Sequence, residues 1–190
     1  QYIYQTLTNS DGADPIDYPA IMANPAEFEL VATDAATGKP VYFTKDDMKQ
    51  DDYRAIMASC ALPVMCRPIS FKDQTYFDGG LSDSVPIMRA FAKGCDRVVV
   101  ILSKPRSFVK QPEGFRHIYR HALRKYPQTI AALDNRHLMY RQNIADVKKQ
   151  ESAGKALVFA PSKELKMSTY ARDEKLEQEL YDLGISDFDA

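Results

Sequence analysis

An α/β domain carrying a helix-rich C-terminal segment is the fold this sequence predicts, and three observations predict it. Arg97 to Ser103 (RVVVILS) is an almost unbroken apolar run, which suits a parallel strand covered on both faces. A short strand from Thr75 to Asp78, a helix from Val85 to Ala92 and that run follow one another. This is the order of a right-handed strand, helix, strand crossover in one sheet. Between Pro127 and Gly154, Ile130, Leu133, His137, Tyr140, Ile144 and Val147 recur at spacings of three and four, the signature of one face of a long helix.

The remaining elements follow in chain order. Glu27 to Thr33 (EFELVAT) and Val41 to Thr44 (VYFT) read as strands, and the intervening Asp34 to Pro40 has the glycine and proline of a turn, so the pair is a hairpin. Tyr53 to Leu62 reads as a helix with apolar positions at Ile56, Met57 and Cys60, ended by Pro63. The helix from Val85 to Ala92 has Pro86 in its first turn and Gly94 as its stop. His137 belongs to the apolar stripe of the long helix, where a histidine is expected to be a satisfied packing residue. Ala156 to Ala160 (ALVFA) is a further buried strand, and a last helix runs from about Asp173 to Leu183, closed by Gly184. The expected organisation is an α/β portion over residues 1–110 and a helix-rich extension over 111–190 packed on it.

Bulk properties narrow the function. With 190 residues and 45% hydrophobic content the chain is long enough for a sizeable core, and a formal net charge of -1 gives no overall bias toward nucleic acid or an anionic membrane. Cys60, Cys66 and Cys95 are odd in number and lack paired C-x-x-C spacing, so free thiols in the cytoplasm are expected. No apolar run approaches the roughly 20 residues of a membrane-spanning helix. The chain opens at Gln1 without a start signal, which reads as an excised piece.

Chemistry concentrates between Tyr53 and Pro86. Asp78 ends a strand and is followed by Gly79 and Gly80, a placement that puts a carboxylate at the sheet edge where α/β folds hold ligands. Asp78 is thus a candidate general base, against the plainer reading that Asp-Gly-Gly makes a tight turn. Ser59 lies in a helix without the strained elbow that exposes a nucleophilic serine. Cys60 or Cys66 with a histidine has no local thiol-hydrolase signature. His117 and His121 are four apart but lack a third ligand, so no metal and no cofactor are expected. From Phe115 to Tyr126, basic residues (Arg116, Arg120, Arg124, Lys125) interleave with apolar ones, which suits either a packed helix or one lying in an anionic lipid interface.

Ala58-Ser59-Cys60-Ala61-Leu62-Pro63, followed by Asp78-Gly79-Gly80, resembles the A-S-x-A-x-P and Asp-Gly-Gly pattern of the bacterial patatin-like phospholipases. The resemblance extends upstream to Ala32-Thr33-Asp34 with Thr37-Gly38. Downstream it takes in Lys125-Tyr126-Pro127, Asn135-Arg136, Tyr140 to Asn143, Gly154 to Ala156 and Ala160 to Ser162. It implies a partial three-layer α/β/α sandwich and a Ser-Asp dyad, in which a serine on a G-x-S-x-G elbow attacks a lipid ester and Asp78 accepts its proton. No G-x-S-x-G occurs in these residues. The chain is therefore expected to supply the aspartate but not the serine, to be inactive alone, and to self-associate or retain an N-terminal fragment. A non-catalytic lipid- or protein-binding module on the same fold is the alternative. Ser84 stands where the family often has asparagine, which leaves one loop hydrogen bond open.

Overall fold

The structure is a computed structural model that describes residues 2–165 and 173–188. In chain order its elements are α1 (Tyr18–Ala23), β1 (Glu29–Asp34), β2 (Pro40–Thr44), α2 (Arg54–Ser59), β3 (Ile69–Phe71), β4 (Gln74–Asp78), α3 (Ile87–Ala92), β5 (Val98–Ile101), α4 (Arg116–Ala122), α5 (Pro127–Ser152), β6 (Ala156–Phe159) and α6 (Glu174–Phe188). They fall into two compact units. One comprises Gln1–Val85 with Gln111–Tyr140, the other Pro86–Lys110 with Arg141–Ala190.

The first unit is built on an antiparallel sheet of order β2-β1-β4-β3. Successive side chains on a strand point to opposite faces, yet Tyr76 and Phe77 on β4 are both buried. Both faces of the sheet are therefore covered. Tyr76 packs with Ala32, Phe43, Phe71 and the α2 residues Ala55 and Ala58. Phe77 packs with Ala35 and Leu81, and with Tyr119, Leu123 and Leu133 from the α4 and α5 region. Helices on both faces make three layers, as expected. Edge-on aromatic contacts pin each layer: Phe43 to Tyr76 at 5.0 Å on one face and Phe77 to Tyr126 at 5.5 Å on the other. Burying a phenylalanine as completely as Phe77, at 0% exposure, is worth about 1.5–3 kcal/mol.

The β1–β2 turn is held by Asp34, whose Oδ1 accepts from the Ala36 N–H (3.0 Å), the Thr37 N–H (2.7 Å) and the Thr37 hydroxyl (2.8 Å). Gly38 has φ +69°, and a Cβ there would stand 2.6 Å from the Gln128 carbonyl oxygen in the first turn of α5. Next to it the buried Thr129 hydroxyl donates to the Ala35 carbonyl at 3.0 Å. The Thr-Gly turn is thus the seat of the α5 N-terminus.

In the second unit β5 and β6 pair in parallel, Val98 opposite Ala156 through Ile101 opposite Phe159. Val100 and Val158 are buried, but Val99 (59%), Ile101 (81%) and Leu157 (57%) are exposed. Val99 and Ile101 line an apolar groove with Phe159, Tyr181, Ile185 and Phe188. Arg106 forks onto the Glu151 carboxylate at 2.7 and 2.8 Å and donates to the Val158 carbonyl at 2.8 Å.

Several expectations need correction. The Val98 to Ile101 strand is covered on one face rather than two, and it does not share a sheet with β4, so the crossover is absent. β4 pairs antiparallel with both of its neighbours instead. Helix α2 ends at Ser59, short of Leu62, and its buried residues are Ala55, Met57 and Ala58. Gly184 does not stop α6, which continues to Phe188, where a ring contact to Phe159 at 5.3 Å holds its end. His137 Nδ1 is buried with no hydrogen-bond partner, so this histidine is packed but not satisfied.

Candidate active site

The Asp78 loop begins with a close approach between strands. Ala32 on β1 pairs with Asp78 on β4, and a Cβ on Gly79 would fall 2.2 Å from the Val31 carbonyl oxygen. Only glycine fits there. Asp78 lies at the carboxyl end of β4, where its N–H donates to the Ala61 carbonyl at 2.9 Å and its carbonyl accepts from the Thr33 hydroxyl at 2.8 Å. Thr33 is fully buried, and its hydroxyl also meets the Ser82 hydroxyl at 2.8 Å. The backbone on either side of the carboxylate is therefore fixed before any ligand arrives.

The Asp78 side chain caps the short turn of 3₁₀ helix that follows, with Oδ1 accepting from the Gly80 N–H at 2.7 Å. Oδ2 has no hydrogen-bond partner among the described residues, and it is not one of the sealed, unpartnered polar atoms. Burial lifts the Asp78 carboxyl above its ordinary range, opposed by the Gly80 N–H and by the Arg136 guanidinium. The result is a carboxylate with one oxygen oriented and the other unengaged, more basic than a solvated aspartate. That combination suits a general base.

Two side chains brace the loop from outside. The Ser84 hydroxyl donates to the Gly80 carbonyl at 2.8 Å, so the serine makes the loop bond that its replacement of asparagine left open. Arg136 on α5 donates through Nε to the same carbonyl at 2.8 Å and through Nη1 to Glu113 Oε1 at 3.1 Å. Tyr42 donates to Asp83 at 2.7 Å just beyond. Sequence reasoning quoted Arg136 only as part of a resemblance and overlooked Glu113. The two lie far from Asp78 along the chain, and no local pattern links either of them to it.

The other sequence candidates stay apart from this constellation. Ser59 is the last residue of α2, in helical conformation. Burial and the nearby Asp78 carboxylate push the Cys60 thiol up, away from the reactive thiolate form. Cys66 and Cys95 are exposed free thiols. His117 and His121 are exposed on α4. Along α4, Tyr119 and Leu123 are buried while Phe115 (82%) and Ile118 (57%) are exposed. Arg116 and Arg120 pair with Asp134, which also accepts from the Tyr119 hydroxyl.

Residues 8–91, which contain β1 to β4, the Asp78 loop and Asp83, match the patatin-like phospholipase family. The chain carries a patatin-like segment. Residues 126–190 match a second family, a domain of unknown function (DUF6363), so the patatin-like match stops short of α5. Arg136 thus reaches the Gly80 carbonyl of the patatin-like segment from the stretch assigned to the other family. Among curated proteins, the chain is similar to Uncharacterized protein YjjU of Escherichia coli (strain K12), at 29% identity over 110 residues. That alignment takes in 50% of this chain and 30% of the relative. The patatin-like match brings a lipid-hydrolase family to the segment that holds Asp78.

Proposed function

We propose that Asp78 is the general base of a Ser-Asp dyad in a lipid acyl hydrolase, and that the serine lies in sequence outside these 190 residues. The observation that supports this best is the carboxylate itself, buried at the end of β4, oriented through Oδ1 by the Gly80 N–H and unengaged at Oδ2. In the proposed reaction Oδ2 takes the serine hydroxyl proton as the serine oxygen attacks the ester carbonyl. Collapse of the tetrahedral intermediate expels the alcohol, which receives that proton, and leaves an acyl-enzyme. Water then attacks, giving its proton to Asp78, and the serine leaves with that proton as the free acid forms.

A lipid substrate is supported by helix α4, where exposed Phe115 and Ile118 stand beside the basic residues Arg116 and Arg120. That combination suits peripheral contact with an anionic lipid surface. These 190 residues contain no G-x-S-x-G, so we expect the chain alone to hydrolyse esters no faster than buffer.

Labelling by a fluorophosphonate, which captures an activated serine, tests the reading. The longer protein should label rapidly, Asp78→Asn should label about 10²–10⁴-fold more slowly, and the 190-residue chain should not label. Equal labelling of wild type and Asp78→Asn, or labelling of the chain alone, would refute it.

A further inference from the structure

We infer that Arg136 is a positioning residue for Asp78, holding the Asp78-Gly79-Gly80 loop through its guanidinium and supplying the positive charge that the carboxylate faces. The inference rests on the reading of Asp78 as general base. The geometry converges on a single point. A Cβ built on Gly80 would meet Asp78 Oδ1 at 3.0 Å, Arg136 Nη2 at 3.3 Å and the Ser84 hydroxyl at 3.7 Å, so two side chains crowd the space that Gly80 leaves empty and a third borders it. Arg136 Nε holds the Gly80 carbonyl while the N–H of the same residue holds Asp78 Oδ1. Gly80 is therefore held through the peptide groups on both sides of its Cα, and moving the guanidinium would free the one that follows and loosen the N–H that orients the carboxylate.

Arg136 is itself held. Its Nη1 pairs with Glu113 at 3.1 Å, and the side chains are only 24% and 27% exposed, so solvent screens the pair less than an open surface bridge. A guanidinium presents a rigid planar fork, and lysine cannot reproduce the simultaneous contact with a carbonyl and a carboxylate. Charged and titratable groups near Asp78 include Arg136 from α5, Glu113 paired with it, Asp83 in the same loop, whose N–H donates to the Gly79 carbonyl at 3.0 Å and whose carboxylate accepts from Tyr42, and Cys60 just after α2, whose thiol stays protonated at neutral pH because burial and Asp78 raise it. The positive charge near the carboxylate comes from Arg136, and Glu113 balances that charge through its pair with the guanidinium.

Two substitutions should move that balance in opposite directions, which a merely structural role would not do. In the complete protein, Arg136→Gln should shift the acid limb of the rate profile to higher pH and lower kcat at neutral pH about tenfold or more, with KM little changed. Glu113→Gln, which leaves the guanidinium unneutralised, should shift the limb to lower pH. Arg136→Lys should restore the position of the limb but not the rate. Following the Asp78 carboxyl by carbon NMR separates this inference from the base assignment. Opposite shifts of that titration support the role of Arg136 even if activity proves independent of Asp78. Shifts in the same direction, or none in either variant, would overturn it.

Discussion

Asp78 is held in an environment that works against its own charge. Burial raises its carboxyl, so the folded state binds this proton more tightly than the unfolded chain does. Protonation therefore favours folding. The stabilisation is fully present below the unfolded value, about 3.9 for a model aspartate, and is lost as pH rises through the folded value. Asp78→Asn keeps an acceptor for the Gly80 N–H and removes the buried charge. The variant should have a higher thermal midpoint than wild type at pH 7, and the difference should vanish near pH 3; an equal or lower midpoint at pH 7 would contradict the burial argument. A residue that weakens the fold at working pH is what a functional carboxylate looks like. Asp78 was legible in the sequence because strand, aspartate and two glycines are contiguous. The reasons for the glycines were not. Gly79 is required by the Val31 carbonyl, and a Cβ at Gly80 would press on Asp78 Oδ1 and on Arg136 from α5.

Elements with a local signal were read well. The β1–β2 hairpin announced itself through Asp34, Gly38 and Pro40, and α5 through a stripe whose Leu133 and Val147 are both buried. β3 carried no such signal. It joins β4 through Lys72 and Asp73, both at positive φ (48° and 59°), in a two-residue hairpin turn that usually advertises itself with asparagine or glycine. The β5 run was read as covered on both faces because four consecutive apolar residues say nothing about what lies over them. Gly184 was read as a stop, yet a glycine inside a helix costs only about 1 kcal/mol, and the Phe188 contact beyond it holds the last turn. Helix α4 has two faces that lead to a test. Tyr119 and Leu123 anchor it, while Phe115 and Ile118 remain in solvent. If those two side chains enter a lipid interface, Phe115→Ser with Ile118→Ser should reduce flotation with anionic vesicles about tenfold or more, since each buried apolar side chain contributes about 1.5 kcal/mol or more. Undiminished flotation would place the lipid contact elsewhere.

Across the whole molecule, the described residues contain no helix long and apolar enough to cross a membrane. The chain covers 30% of the length of the Escherichia coli relative, and its family matches divide between a patatin-like segment and a domain of unknown function. The three-layer unit was foreseeable from the patatin-like resemblance, but its antiparallel sheet was not. Strand order depends on pairings such as Ala32 with Asp78, which no local pattern encodes. The catalytic reading depends on one side chain, and the steady-state kinetics of Asp78→Asn in the complete protein test it most directly. With a phospholipid and a nitrophenyl ester as substrates, kcat should fall about 10²–10⁴-fold with little change in KM and a folded, cooperative melt. A variant that folds normally and turns over at the wild-type rate would show that Asp78 is not the base.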